Sequence, residues 1–206
     1  MTYVKASVRR PAGNPGNGIQ PKDQLVIYDV DDILSFPQRN EAGVVIEDDI
    51  VMKEGRYAIG IYLTPGTAEI SSNSDGETDA EGYTPSIKFN HPGNQQEIRE
   101  FKTNWLTKKC IVVLRYCSGK PADLIGTPCN PCKLSVSYTG SNESNTNELT
   151  FTQISKGDDI AIYQGTDTLE EPVAVVEAKA TDITYQTDGQ LSLIHISEPT
   201  RHSLIS

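Results

Sequence analysis

Apolar residues follow two rhythms along this chain, and only one short segment keeps the helical one. Elsewhere they alternate with polar residues or form short runs bounded by Gly, Pro, Asn or Ser, the pattern of strands joined by turns. Segments 24–30, 44–53, 56–65, 133–140, 148–155, 159–165 and 173–179 read as strands, with 3–10 as a first strand or arm. The stretch 133–155 reads as a hairpin around SNESNTN. Segment 11–18 is a Gly/Pro/Asn link, 31–43 and 118–131 are loops, and 72–82 is a polar loop after a short continuation at 69–71.

The exception is segment 83–117, which reads as strand, tight turn, helix and second strand. Ile98, Phe101, Trp105 and Leu106 fall at i, i+3, i+7 and i+8, one face of a 3.6-residue period. Asn94 can cap the start and Glu97 lies three residues on, close to a capping box. Lys108 and Lys109 suit the negative end of the helix dipole, and His91-Pro92-Gly93 is turn chemistry. A helix of about 15 residues is marginal alone in water. It therefore has to lie on a sheet, which the apolar run 110–116 supplies. About nine strands and one helix predict a mainly β fold, a sandwich or barrel with a single flanking α-helix at about 94–109.

Length and composition agree with this. The 206 residues suit one domain with an appendage, and the 16 Gly and 12 Pro fall mostly between the apolar runs. There is no apolar run long enough to span a membrane and no apolar core of a secretory signal at the start. The expectation is a soluble, cytosol-made protein with reduced cysteines.

Net charge is −10, unevenly spread. Residues 1–22 hold Lys5, Arg9, Arg10 and Lys22 without an acid, a basic arm and linker ahead of a domain at 23–190. Segment 69–81 carries Glu69, Asp75, Glu77, Asp79 and Glu81 without a base. This balance argues against a nucleic-acid binder, which would show a basic face. The acidic stretch reads as a solvated loop, or as a surface that stays near DNA without holding it.

Motifs of chemistry are weak. LVIYDVDDIL places Asp29 and Asp31 at a strand end, as in phosphatases that use an aspartate nucleophile and Mg²⁺. Those enzymes need a doubly wound sheet with many helices, so the segment reads as a strand running into a polar turn. Cys129 and Cys132 have the spacing of half a zinc site or a redox pair. Cys110 and Cys117, seven apart on one strand, point to opposite faces and cannot share one metal. A redox pair opens a helix, whereas Cys132 opens a strand. Idle thiols are expected, and no catalytic residue, metal or cofactor.

Residues 191–201, LSLIHISEPTR, resemble the translation of a transposase-based sequencing adapter. The resemblance implies that 191–206 is not biological. His195 and His202 then drop out, and His91 is left as a structural histidine.

The order of FPQRNEAGVVI, KFNHPGNQQEIREFKTNWLTKKCIVVLRYC, GTPCNP and NTNELTFTQ resembles the major tail (tail tube) proteins of long-tailed bacteriophages and prophages of the Bacteroidetes type. The resemblance covers roughly 24–166. It implies a virion structural protein: a β-sandwich with one flanking helix, six copies to a ring whose sheets merge into an inner barrel, and rings stacked into a tube that DNA traverses without specific binding. Homo-oligomerisation, other tail proteins as partners, no membrane, and assembly in the host cytoplasm before incorporation in the virion tail follow from it. On this reading the acids Asp75, Glu77, Asp79 and Glu81 stack rings or line the lumen. Lys5, Arg9 and Arg10 clasp a neighbour, and Ile98, Phe101, Trp105 and Leu106 hold helix to sheet. Another neck or tail-completion protein, or a carbohydrate-binding surface sandwich, is the alternative.

Overall fold

The central strands are buried on both sides, and the rest of the chain is arranged around them. The computed structural model describes residues 5–169. The expected strand at 173–179 and the segment 191–206 lie outside the described residues. The elements in chain order are β1 Pro21–Asp29, a 3₁₀ turn Val30–Asp32, β2 Ile33–Ser35, β3 Val45–Ile46, β4 Val51–Met52, β5 Ile59–Tyr62, β6 Glu69–Asp75 and β7 Gly82–Pro92. The helix α1 Gln96–Trp105 follows, then β8 Cys110–Tyr116, β9 Ala122–Ile125, β10 Cys132–Gly140, β11 Asn145–Gln153 and β12 Ala161–Tyr163.

β1 and β8 pair antiparallel and send alternate side chains to two cores. Leu25, Ile27, Val112 and Leu114 enter the first with Ile87, Phe89, Leu149 and Phe151. Val26, Tyr28, Ile111 and Val113 enter the second with Ile46, Leu124, Ala161 and Tyr163. Phe89 and Phe151 stack at 6.3 Å between ring centroids. Burying each such ring contributes about 1.5–3 kcal/mol.

The main sheet runs β3-β12-β9-β8-β10-β11-β7-β6, with β1 and β5 branching from β8. The branch has a simple cause. Ile125 faces Val112 and Cys132 faces Cys110, so β9 and β10 are one antiparallel line beside β8, interrupted by the excursion 126–131. Beyond Cys132, β10 leaves β8 and follows β11. The result is a mainly β, sandwich-like fold with one α-helix. Among the described residues no barrel closes: β3 and β6, the two ends of the path, each pair with one strand.

Several sequence-based expectations need correction. The helix is shorter than 94–109. Its N-cap is Gln95, extended and without a side-chain bond, because the Asn94 side chain turns to Lys102. Lys108 stays at the helix end, with its N–H donating to Trp105 O and its ammonium 5.1 Å from the Trp105 ring centre, but its ion pair is with Asp29. Leu106 is the C-cap and is half exposed, so it is not part of the helix–sheet core. Ile98 is buried, and Phe101 and Trp105 pack against the first core. His91 and Pro92 are not a turn: β7 runs through both, and the turn is made at Gly93, with φ 79°. The polar loop 72–82 is mostly strand and hairpin tip, since β6 continues to Asp75 in register with β7. Segment 44–65 breaks into three short strands, and the loops 31–43 and 118–131 contain β2 and β9. Residues 5–10 form no strand.

Candidate functional site

One half of the sheet is built of four long strands, in the order β10-β11-β7-β6. Its inner face is apolar and is covered at one end by α1. Lys102 fixes this cover: its ammonium donates to Asn147 Oδ1 at 2.6 Å and lies 5.1 Å from the Tyr138 ring centre. Asn147, fully buried, donates in turn to Gly93 O. Pro85 is tolerated within β7 because the β11 ladder ends at Thr152–Ser86, so no donor is missed there.

Apart from Pro92 and Gly82 at the two ends of β7, the outer face is polar. Register aligns its side chains in rows across the strands. One row is Lys133, Thr152, Ser86 and Ser71; the next is Ser135, Thr150, Lys88 and Glu69. A third is Ser137, Glu148 and Asn90. Ser71 and Ser86 hydroxyls are 2.9 Å apart, and Lys88 pairs with Glu69 at 3.0 Å. The bond to Glu69, then the charges of Glu69 and Glu148, raise the Lys88 pKa. Lys133 has no ion-pair partner among the described residues. Two lysines and two glutamates leave these three rows near neutrality. The acidity of the chain lies elsewhere.

Both lateral edges of this half-sheet are unpaired among the described residues: β6 along its length, and β10 beyond Cys132. Backbone phase follows from two bonds. Gly93 N–H donates to Asn145 O at 2.9 Å and Ser141 N–H to Ser144 O at 2.8 Å. Residues 133, 135, 137 and 139 therefore bond to β11, and residues 69, 71, 73 and 75 to β7. The N–H and C=O groups of Leu134, Val136 and Tyr138, and of Ile70, Ser72 and Ser74, point out of the sheet.

The sequence-predicted acids sit at the β6–β7 hairpin tip. Asp75 ends β6, accepts from Gly76 N–H, and pairs with Lys156 at 3.3 Å; these contacts hold its pKa below the usual carboxylate value, Lys156 first. Glu77, Asp79 and Glu81 are exposed, and Asp79 takes a left-handed backbone with φ 72°. Lys5, Arg9 and Arg10 are exposed with no acidic partner among the described residues. The structure does not bring arm and tip together within one copy.

Asp29 is buried, pairs with Lys108 and accepts from Asp31 N–H, capping the 3₁₀ turn. Its carboxylate is occupied as a structural cap. Cys110 and Cys132 face each other across the strands and are fully buried; burial pushes the Cys110 thiol up to about 12 and raises that of Cys132. Cys117 and Cys129 are exposed, and no metal-holding cluster of His, Cys, Asp or Glu occurs among the described residues. No helix there is long and apolar enough to cross a membrane. The polar face was not singled out from sequence. Its signal is the strict alternation in KLSVSYT, TNELTFTQ and TPSIKFN.

No protein-family profile matches the chain, and comparisons with curated proteins and with solved structures found no match.

Proposed function

We propose that this protein is the subunit of a phage-type tail tube, a virion structural protein that works by assembly and not by catalysis. The observation that supports this most is the four-stranded antiparallel half-sheet with two unpaired edges and a largely polar outer face. Long open edges are a hazard that monomeric proteins blunt with charge, proline or bulges. Neither β6 nor the free part of β10 contains proline or a bulge, and their charges, Glu69, Asp75 and Lys133, stand only at the strand ends. Head-to-tail pairing of such edges consumes them and closes a ring.

Four strands from each of six copies, the number that the resemblance implies, give a ring of barrel strands. At strand spacings of about 4.8 Å and tilts of about 40°, its backbone diameter is about 48 Å, wide enough for duplex DNA. Strands in such a ring run along the tube, so the β6–β7 tip falls at a rim, where Glu77, Asp79 and Glu81 meet the next ring. The hydroxyl-rich face offers phosphate few cations to bind, since the affinity of a protein for DNA rises with the lysines and arginines it presents.

Negative-stain microscopy of concentrated protein tests the reading. Rings or tubes of stacked rings are expected. A monodisperse monomer at all concentrations refutes it.

A further inference from the structure

The two unpaired edges fit each other in one register. Granting the edge-to-edge ring proposed above, we infer that β6 of one copy pairs antiparallel with β10 of the next, with Asp75 opposite Lys133, Asn73 opposite Ser135, Ser71 opposite Ser137 and Glu69 opposite Thr139.

Four constraints converge on this pairing. Strand direction alternates across β10, β11, β7 and β6, and an even number of strands lets copies related by rotation meet antiparallel. Backbone phase agrees: the outward-pointing groups of Leu134, Val136 and Tyr138 meet those of Ser74, Ser72 and Ile70. Length agrees, because Glu69–Asp75 matches the free stretch of β10 from Lys133 to Thr139 residue for residue. Charge agrees as well. The unpaired Lys133 meets Asp75 in a non-hydrogen-bonded pair, where opposed side chains come closest. Asp75 already binds Lys156 in its own copy, and a carboxylate has lone pairs for both. A slip of two residues either way parts Lys133 from Asp75 and shortens the ladder.

The same register sets the slope of the strands. A line straight across the sheet from Ser135 passes Thr150, Lys88 and Glu69 and enters the next copy at Thr139, four residues further on. That is about 13 Å along the strands for about 19 Å across them, a tilt of about 35°, as closed barrels require. Handedness selects the lining. The Gly93–Asn145 bond makes even-numbered β7 residues bond toward β6. For L-residues, this puts β6 to the right of an upward β7 seen from the polar side. With that side inward, strands lean right when viewed from outside, the sense that native strand twist demands. With it outward, the lean reverses. The polar rows therefore line the lumen.

Disulfide trapping tests the register. In a background with Cys117→Ser and Cys129→Ser, Asn73→Cys with Ser135→Cys is expected to give a ladder of covalent multimers under a mild thiol oxidant. Ser71→Cys with Ser135→Cys, slipped by two residues, is expected to give none. A ladder from the slipped pair, or from neither while microscopy shows rings, overturns the register and leaves the tube reading standing. Absence of rings from the parent protein overturns both. Lys133→Asp and Asp75→Lys are each expected to raise the concentration needed for assembly several-fold. The double variant is expected to recover it, and melting curves confirm that each variant is folded. Failure of the double variant to recover removes the Lys133–Asp75 pair.

Discussion

Asp167 accepts the phenol of Tyr28 at 2.6 Å, although 139 residues separate them. The same carboxylate pairs with Arg115, whose guanidinium also donates to Gly165 O at 2.7 Å. Thr166 N–H donates to Asp49, and Ala58 N–H to Thr168 O. The segment after β12 is thus latched to β1 and β8 by side chains more than by a strand ladder. The Asp167 carboxylate is nearly inaccessible, and burial together with Asp167 drives the Tyr28 pKa far above that of a free phenol.

Asp167→Ala leaves Arg115 and Tyr28 facing an unfilled polar site. A cost of about 3 kcal/mol is expected, at the low end for breaking a buried pair because Arg115 keeps some access to water. Tyr28→Phe removes one hydrogen bond while the ion pair stays, and about 1 kcal/mol is expected. Urea unfolding of the two variants checks the order; equal costs would place the latch on the phenol.

His91 lies in β7 against Tyr62, with ring centroids 6.2 Å apart. Burial lowers its pKa from the ordinary 6.5; the Pro92 backbone opposes this in part, and the Lys102 charge adds a smaller lowering effect. Below that value the unfolded chain binds the proton more readily than the folded one. The contribution of His91 is therefore whole above about pH 6.5 and is lost as pH falls through the lowered folded value. His91→Gln should lose less stability than the parent between pH 7 and pH 5, measured by urea midpoints. Parallel curves would remove His91 from the acid response.

Thiol chemistry separates the cysteines into two classes. Cys117 and Cys129 are exposed, while Cys110 and Cys132 are buried with raised pKa values. The thiolate is the reactive species. A colorimetric disulfide reagent should therefore titrate two thiols quickly in native protein and four in denaturant. A single fast thiol would mean that one of the two is shielded, Cys117 through its 3.5 Å contact with Pro21 O being the first to test by Cys117→Ser.

Much of the fold is legible wherever one face of an element is apolar. Ile98, Phe101 and Trp105 mark the helix and the face it buries, and KLSVSYTG marks β10 by alternation. Legibility fails where pairing overrides local preference. Ser72, Asn73 and Ser74 have poor strand propensity, yet β7 holds them in register. Leu106 fits the helical period, but the chain turns away there to reach β8, and its side chain faces solvent. Ile98→Ala is accordingly expected to cost about 2–5 kcal/mol and Leu106→Ser about 0.5 kcal/mol or less. Comparable losses in thermal or urea unfolding would restore Leu106 to the core. The candidate site was less legible, because a strand edge is a property of topology: nothing local in Glu69–Asp75 or Lys133–Thr139 says that one side lacks a neighbour.

The hairpin tip offers the sharpest separation of ring formation from ring stacking. β6 is ladder through Asp75, so a deletion beginning at Ser72 would remove edge and tip together. Replacing 76–81 with Asn-Gly keeps Asp75 and Gly82 paired, because that dipeptide adopts the type I′ turn that suits a two-residue hairpin. Glu77, Asp79 and Glu81 are lost, while both edges and the polar rows are kept. The expected product is a folded protein that still closes rings but stacks them poorly, seen in negative stain as single rings in place of long tubes. Full-length tubes from this variant would free the tip acids from any part in stacking. Loss of the rings themselves, with melting unchanged, would show that the tip also governs how β6 meets its neighbour.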